Sequence, residues 1–257
     1  MSSTGEPTIW HPADVFSPAP NIHKEFAIII LNQPLEVPTS IYTKLWSNAI
    51  YKAAADGGAN RLHDINKTQP DQDHDLDIVI GDLDSLRPDV RDYWAGRGVE
   101  ISHDPDQYST DFGKAFKRVG TEKPNVDIVV LGGLGGRVDQ GMATMGHLYM
   151  FQSDSGYASG RIFLLSSESI TFVLKAGKHR IKIKEPFPGP GLGKHIGIIP
   201  LKEPSIITTK GLEWDVENWE TEFGAQMSTS NHVREDWVEI ETTGDVLFTI
   251  DLDISSG

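Results

Sequence analysis

The feature that most constrains the fold of this chain is a repeated order of short apolar strand, turn and helix. Strands are predicted at residues 26–31, 51–55, 78–80, 99–102, 126–131 and 162–165. Helices are predicted at 40–48, 88–95, 111–119 and 137–151, and a shorter one follows residues 56–60. Strands that are apolar along their whole length are typical of parallel sheets with helices on both faces. The first part of the chain is therefore predicted to be a three-layer α/β domain.

The pattern changes near residue 166, where short alternating or β-branched runs follow one another without a helical period. These runs occupy residues 170–174, 179–183, 195–199, 205–209, 226–230, 237–242 and 246–252. Turn residues separate them, which favours an antiparallel β domain, either a sandwich or a flattened barrel. We therefore predict an N-terminal arm at 1–22, which Trp10 and Phe16 can partly anchor, an α/β nucleotide-binding domain at 23–160 and a β-sandwich domain at 161–257, with the boundary near residues 155–168.

Composition excludes several classes of function. The formal net charge of −14 argues against a nucleic-acid surface, which would need a basic face. The absence of cysteine excludes disulfides, thiolate metal sites and cysteine nucleophiles. Residues 1–22 contain no apolar core of a signal peptide, and no apolar run approaches bilayer length. We expect a cytoplasmic protein without nucleic-acid or membrane partners.

Unusual polar residues recur where the predicted parallel strands end. Asp56 follows the second strand, Asp82 and Asp84 follow the third, Asp104, Asp106 and Gln107 follow the fourth, and a glycine cluster at 132–136 follows the fifth. Ligands of open α/β sheets bind beyond the carboxyl ends of the strands. We therefore expect these residues to share one functional edge of the sheet.

Two carboxylates so close together, at Asp82 and Asp84, suggest a divalent cation that offsets their repulsion. The alternative is a solvated turn that caps the next helix. Similarly, Ser109 or Thr110 can cap a helix that begins with Asp111, and Lys114 can reach a phosphate or pair with Asp111.

The glycine cluster at 132–136 leads from a strand into a helix, where backbone N–H groups can hold phosphate. Arg137 directly after it offers a planar fork for phosphate oxygens. Asp139 can bind metal, orient Arg137 or simply favour the helix N-terminus. Several carboxylates with few cations suit Mg²⁺ and phosphoryl-type transfer, which needs positioning and charge neutralisation.

The β domain offers an aromatic group and hydroxyl groups. Trp214 follows a glycine turn, and residues 228–231 read Ser-Thr-Ser-Asn. An indole face with hydroxyls suits a flat cationic heterocycle. The alternative is an ordinary core tryptophan beside an ordinary polar strand surface.

These segments together resemble the thiamin pyrophosphokinase family, in its eukaryotic form. The first four segments that carry the resemblance are Asp-Gly-Gly-Ala-Asn at 56–60, Gly-Asp-Leu-Asp-Ser at 81–85, Asp-Gln at 106–107 with Thr-Asp-Phe at 110–112, and Gly-Gly-Leu-Gly-Gly-Arg-Val-Asp-Gln at 132–140. They are followed by Thr-Thr-Lys-Gly-Leu-Glu-Trp at 208–214 and Ser-Thr-Ser-Asn at 228–231. The resemblance rests on the order of these six segments. It covers about residues 25–252, while the proline-bearing stretch at 183–194 is longer or more irregular than the family pattern.

The resemblance implies pyrophosphoryl transfer from ATP to the hydroxyl of thiamin, giving thiamin diphosphate and AMP, with Mg²⁺ and a homodimer that shares each substrate site between subunits. The implied catalytic residues are Asp56, Asp82, Asp84 and Asp111, of which the last three would hold the metal. Implied ATP or phosphate contacts are Gly57, Gly58, Asn60, Ser85, Gln107, Thr110, Lys114, Gly133, Arg137 and Asp139. Implied thiamin contacts are Gln107, Asp139, Thr209, Trp214, Ser228, Ser230 and Asn231.

The resemblance leaves open which aspartate accepts the hydroxyl proton. Two other functions remain as alternatives: a non-catalytic thiamin or nucleotide sensor on the same fold, and a Mg²⁺-dependent pyrophosphokinase for another heterocycle.

Overall fold

The computed structural model describes residues 5–17, 24–35, 39–69, 73–153, 157–185 and 191–253. The chain divides into two compact units. The α/β unit is Ala19–Ser167, and the β unit combines Met1–Pro18 with Glu168–Gly257. No helix among the described residues is long and apolar enough to cross a membrane.

Strands and helices are numbered along the whole chain. The α/β unit contains β2 (Phe26–Ile30), α1 (Thr39–Asn48), β3 (Tyr51–Ala55), α2 (Gly58–Thr68), β4 (Ile78–Gly81), α3 (Pro88–Gly96), β5 (Glu100–His103), α4 (Asp111–Glu122), β6 (Asp127–Leu131), α5 (Val138–Phe151) and β7 (Ile162–Leu165).

The sheet of the α/β unit is parallel throughout, in the order β7-β6-β2-β3-β4-β5. Every residue of β2 and β6 is buried, so both faces of the sheet are covered at its centre. The chain first builds outward from β2 through β5 and then returns to the other side of β2 with β6. This reversal places a topological switch point between β2 and β6, where such sheets bind ligands.

The predicted strands of the α/β domain are confirmed, and two of them, β3 and β7, match to the residue. The α/β unit ends at Ser167, within the boundary region predicted at 155–168 and seven residues beyond the domain limit drawn at 160. The reason is that β7 pairs in parallel with β6 and so completes the parallel sheet. Helix α1 begins at Thr39; the side chain of Ser40, its predicted cap, lies outside the described residues.

The β unit contains β1 (Thr8–Trp10), a 3₁₀ helix (Pro12–Phe16), β8 (Ser169–Leu174), β9 (Gly177–Lys182), β10 (Gly191–Ile199), β11 (Ser205–Lys210), β12 (Trp219–Thr221), β13 (Ser228–His232), β14 (Trp237–Thr242) and β15 (Val246–Asp253). One layer has the order β1-β9-β14-β11-β12, and the other has the order β13-β10-β15-β8.

The two layers of the β unit pack face to face, as the sequence predicts for a β-sandwich. Trp10 of the first layer stacks on Phe172 of the second with ring centroids 4.6 Å apart, and Phe172 contacts Phe248 at 5.1 Å. Among the described residues of the unit, the strand pairs are antiparallel except β1 with β9.

The N-terminal arm predicted at residues 1–22 is anchored where the structure describes it, as expected for Trp10 and Phe16. Strand β1 pairs with β9, and the Trp10 Nε1–H donates to His179 Nδ1 at 3.0 Å. Trp10 and Phe16 are 0% exposed, so burial of two large aromatic side chains makes this segment part of the sandwich core. Residues 1–4 and 18–23 of the arm, and 186–190 of the proline-bearing stretch, lie outside the described residues.

Candidate functional site

A cavity of about 570 Å³ opens at the carboxyl ends of the parallel strands. Its walls come from the segments that follow β2, β3, β4 and β5, and from one face of α5. The cavity therefore lies at the edge where the sequence predicts the functional residues. Of those residues it is lined by Asp56, Gly57, Asp82, Ser85, Gln107, Thr110, Asp111 and Arg137.

Three carboxylates meet in this cavity and form what we call the acidic triad: Asp56, Asp82 and Asp111. Each contributes an oxygen that lies within 4.8 Å of the others. They reach this point from three different parts of the fold, since Asp56 follows β3, Asp82 follows β4 and Asp111 begins α4. Three like charges at this separation repel one another unless a cation or protons intervene.

Asp56 is the most buried member of the acidic triad, at 3% exposed. Its Oδ2 accepts a hydrogen bond from the Ser85 backbone N–H at 3.0 Å, whereas its Oδ1 has no partner among the described residues. Burial raises the pKa of the Asp56 carboxyl, the hydrogen bonds from Ser85 oppose this, and the charges of Asp111 and Asp82 raise it further. The site thus contains a buried acceptor oxygen that is available to a cation.

Local backbone geometry brings the triad together. A Cβ on Gly81 would lie 2.8 Å from the Asp56 Cβ and 2.9 Å from Asp111 Oδ1, so only glycine fits between them. Asp56 and Leu83 adopt left-handed φ values of 43° and 63°, which few residues other than glycine tolerate. Strain of this kind is concentrated at functional sites.

Asp82 and Asp84, which the sequence could not separate, occupy different environments. The Asp84 backbone N–H donates to Asp82 Oδ1 at 3.1 Å, so Asp82 both joins the triad and closes the local turn. Asp84 itself is exposed and is not part of the described acidic triad. A metal role for Asp84 stays a prediction.

Asp111 is held from two sides. Its Oδ1 accepts from the Asp82 backbone N–H at 3.2 Å and from Lys114 Nζ at 3.3 Å. Lys114 is buried beneath it and also donates to the Asp104 carbonyl at 2.9 Å. Of the two roles predicted for Lys114, the structure shows the ion pair with Asp111.

The remaining phosphate candidates divide into lining and supporting residues. Arg137 lines the cavity but is exposed and pairs with Asp139, which lowers the pKa of the Asp139 carboxyl. Asn60 is a support, since its amide donates to the Ser85 carbonyl at 2.7 Å and accepts from the Arg87 N–H at 3.1 Å. Gly58 and Gly133 pack against Ile30 and Thr144 respectively, within the fold.

Sequence reasoning missed two parts of the cavity wall. Asn32 and Gln33 come directly after the strand predicted at 26–31, so the strand-end argument applied to the other strands would have found them. Gln140, Thr144 and His147 line the cavity from one face of α5. Their spacing of four and three residues after the glycine turn is the signal of a helix face directed at the site.

The thiamin candidates of the β unit form a local network. Asn231 is 5% exposed; its Oδ1 accepts from the Trp214 N–H at 3.2 Å and its Nδ2 donates to the Trp214 carbonyl at 2.9 Å. Thr209 is buried and donates to Asp215 at 3.0 Å. The Trp214 ring is 57% exposed and lies 5.2 Å from the His232 ring.

The two serines of this set belong to β13, and Ser230 has a left-handed φ of 55°. The exposure of the Trp214 ring shows that Trp214 is not a core residue, which was the alternative to a ligand-binding role.

Comparison with known proteins agrees with both halves of the chain. The family described as "Thiamin pyrophosphokinase, catalytic domain" matches residues 42–157, and "Thiamin pyrophosphokinase, vitamin B1 binding domain" matches residues 178–247. Thiamine pyrophosphokinase 1 of Oryza sativa subsp. japonica is 37% identical over 253 residues, which span 91% of this chain and 90% of the relative.

Solved structures agree as well. Yeast thiamin pyrophosphokinase superposes with a TM-score of 0.84 at 25% identity, covering 97% of this chain and 92% of that one. Thiamin pyrophosphokinase from Candida albicans gives a TM-score of 0.81 at 25% identity, covering 98% and 96%. The chain belongs to the thiamin pyrophosphokinase family.

Proposed function

We propose that this chain is a thiamin pyrophosphokinase that transfers the pyrophosphoryl group of ATP to the hydroxyl of thiamin and releases AMP. The observation that carries the proposal is the acidic triad of Asp56, Asp82 and Asp111 in the cavity of a member of this family. Such a cluster at the carboxyl edge of a parallel sheet suits the handling of phosphates with a divalent metal.

The donor set fits Mg²⁺. All three groups of the triad offer carboxylate oxygens, which Mg²⁺ prefers, and Asp56 Oδ1 is buried without a partner among the described residues. Asp82 and Asp111 would hold the ion together with Asp56, and Asp84 remains a further candidate. When bound, Mg²⁺ neutralises charge on the phosphate oxygens of ATP.

The protein's own residues then position the reactants. Arg137 and Gln107 would contact phosphate oxygens from the cavity wall. The ion pair of Arg137 with Asp139 is exposed, and such pairs are weak enough to exchange for a phosphate. The thiamin hydroxyl oxygen forms a bond to the β-phosphorus, the bond between that phosphorus and the bridging oxygen to the α-phosphorus breaks, and AMP leaves. The hydroxyl proton passes to a carboxylate of the triad.

The test is to incubate the purified chain with ATP, Mg²⁺ and thiamin and to measure the products by chromatography. We expect AMP and thiamin diphosphate in equal amounts. ADP as the nucleotide product would contradict pyrophosphoryl transfer. Binding of thiamin or ATP without turnover would support the sensor alternative, and turnover with a different heterocycle but not thiamin would support the other kinase.

We also propose a cytoplasmic homodimer in which the substrate site is shared between subunits. The exposure of Trp214 supports a role for this face of the β unit in contacts with a ligand or a second subunit. Light scattering should give twice the 28.3 kDa chain mass, and a fluorescent fusion should distribute through the cytosol.

A mixing experiment tests whether the site is shared. With thiamin well below the wild-type KM, Asp82→Asn and Trp214→Ala dimers would each turn over slowly alone, the first through its lower kcat and the second through its higher KM. If one subunit supplies the triad and its partner supplies the tryptophan, mixed dimers contain one intact site. An equal mixture should then recover roughly a quarter of the wild-type rate, because about half of the dimers are mixed and each has one of two sites. Purely additive rates would contradict a shared site.

A further inference from the structure

His147 is a cavity residue whose role neither the sequence nor the family match assigns. It lies on the face of α5 that lines the cavity, and its ring packs against Phe112 and Phe151 with centroids 5.4 and 5.2 Å away. The contact with Phe112 joins α5 to α4, the helix that begins with Asp111 of the acidic triad, while Phe151 is the last residue of α5 itself.

The two ring nitrogens of His147 have different partners. Nδ1 lies 2.7 Å from the Ala143 carbonyl oxygen, and Nε2 lies 3.0 Å from the Thr110 hydroxyl. A carbonyl oxygen can only accept, so Nδ1 must carry the hydrogen. In the neutral ring Nε2 is then an acceptor, and the Thr110 O–H donates to it.

This arrangement also determines the role of Thr110. Its hydroxyl oxygen accepts from the Gly113 N–H at 3.1 Å, which is the N-cap bond of α4. Its single hydrogen goes to His147. While this bond exists, the Thr110 hydroxyl has no hydrogen for a phosphate oxygen, so a phosphate-donor role predicted for Thr110 and the bond to His147 exclude one another.

We propose that His147 is a positioning residue for the transfer: it holds the Thr110 hydroxyl, fixes the first turn of α4 against α5, and so keeps Asp111 in the acidic triad. The inference deepens the proposed function and rests on it. The cap residue stands directly before Asp111, so any shift of the cap moves the carboxylate that Lys114 and the Asp82 N–H hold. The bond from α5 makes that first turn less free to move when substrate enters.

Two substitutions distinguish the hydrogen-bond acceptor of His147 from its aromatic ring, and a third is the control. His147→Phe keeps an aromatic ring beside Phe112 but removes the acceptor. His147→Gln places an amide oxygen near the position of Nε2 and restores an acceptor. Gly146→Ala is the matched control on the same helix, because its added Cβ would meet nothing within 4 Å.

We expect His147→Phe to lower kcat by roughly tenfold, since the first turn of α4 loses its hydrogen bond to α5 and the net contribution of one such bond corresponds to about that factor. The Mg²⁺ concentration for half-maximal rate should rise, while the KM for thiamin stays within twofold or so, because the change acts on the triad. His147→Gln should recover most of kcat, and Gly146→Ala should match wild type. Thr110→Val should make a further His147→Phe change silent, because the two residues act through one bond.

Equal losses in His147→Phe and His147→Gln, or no loss in His147→Phe, would overturn the proposal. A second readout does not depend on turnover: ¹⁵N NMR of the resting protein should show His147 with the hydrogen on Nδ1, and Thr110→Val should shift the Nε2 resonance. Hydrogen on Nε2 in the neutral ring would overturn the proposal. If wild type forms no thiamin diphosphate, the proposed function fails while the NMR result still decides whether His147 holds Thr110.

Discussion

Buried polar groups behave differently in the cavity of the α/β unit and around Trp214 in the β unit. In the cavity, Asp56 leaves one buried oxygen without a partner among the described residues, beside two more carboxylates. Around Trp214, the buried side chain of Asn231 bonds through both its oxygen and its nitrogen to the Trp214 backbone. Both regions contain a non-glycine residue with left-handed φ, Asp56 and Ser230.

The difference indicates two kinds of preparation for a ligand. A buried acceptor without a partner costs stability, so a protein retains it where a ligand supplies the missing interaction. A network whose members satisfy one another is rigid, and it can present an exposed side chain such as Trp214 in one orientation. The cavity is therefore expected to control rate and metal use, and the Trp214 surface is expected to control affinity.

The largest effect should come from Asp82→Asn. The amide keeps an oxygen that can accept from the Asp84 N–H, so the turn should persist. The loss of one charge from the triad should lower kcat by roughly 10²–10³-fold, the usual cost of removing one electrostatic contact to a reacting group. Steady-state AMP formation measures this, with circular dichroism as the check on folding.

Asp92→Asn is the matched control, because Asp92 is an exposed carboxylate on α3. It should leave the rate unchanged. Near-normal turnover in Asp82→Asn would return Asp82 to the role of a turn residue and remove the basis for calling the cavity the catalytic region.

Trp214→Ala should have the next largest effect, and it should act on affinity. Loss of an exposed indole face should raise the KM for thiamin by roughly tenfold, since cation–π contact to a desolvated ligand is worth that much. The KM for ATP should stay constant, and Trp214→Phe should recover part of the affinity. Initial-rate kinetics with each substrate varied in turn measures both.

Phe223 offers a matched aromatic control in the same unit, because it is 56% exposed, close to the 57% of Trp214. Phe223→Ala should leave both KM values unchanged. If Trp214→Ala lowered kcat without raising the KM for thiamin, the proposal that the cavity controls rate and the Trp214 surface controls affinity would be wrong.

Asp56→Asn should separate stability from activity. Its amide oxygen can still accept from the Ser85 N–H, and the new N–H₂ group can donate to neighbouring carboxylates. Removal of a buried charge whose pKa is raised by burial should stabilise the metal-free protein by about 1 kcal/mol. Activity should fall with the loss of a triad member.

The measurement for Asp56→Asn is thermal unfolding with and without Mg²⁺. Wild type should gain stability from the ion by mass action, and the variant should gain less. A change at a buried amide elsewhere, such as Asn66→Asp, would not test the same point, because Asn66 lies away from the cavity and its side chain bonds to the His74 backbone. A variant that is less stable than wild type without metal would mean that Asp56 is structural.

Much of the cavity can be predicted from the sequence, because the end of an apolar strand is a local signal in the chain. Asp56 and Asp82 stand directly after apolar runs and Asp111 begins a capped helix, so their convergence is predictable once the sheet is parallel. The same rule applied to β2 would have found Asn32 and Gln33. The helical spacing of Gln140, Thr144 and His147 was the signal for the part of the cavity wall that α5 provides.

Other features depend on contacts between distant residues, which no local pattern carries. Asp82 and Asp84 look alike in sequence, but only Asp82 belongs to the described triad, and Leu83 between them has a left-handed backbone that the sequence does not predict. The N-terminal strand pairs with β9, about 170 residues further along the chain, and Trp10 donates to His179 there. Pairing over such separations is visible only in the folded chain.

His74 offers the smallest and sharpest test of the comparison, because it is a buried polar side chain outside the cavity. Its Nε2 has no partner among the described residues, and its ring lies 4.8 Å from that of Trp46. Burial lowers the pKa of His74, while the charges of Asp73 and Asp75 oppose this. Below the ordinary pKa of about 6.5, the unfolded chain therefore binds more protons than the folded one.

The contribution of His74 to the free energy of unfolding is therefore present above about pH 6.5 and is lost as pH falls toward the lowered pKa. His74→Phe keeps a ring beside Trp46 and both backbone bonds to Asn66, but it removes the titrating group. The fall in Tm between neutral and mildly acidic pH should therefore be about 1–3 °C smaller than in wild type. His103→Phe, at an exposed position of β5, is the control and should leave that fall unchanged. An unchanged fall in His74→Phe would mean that this buried nitrogen carries no penalty, and a buried polar atom without a partner would then no longer point to a ligand in the cavity either.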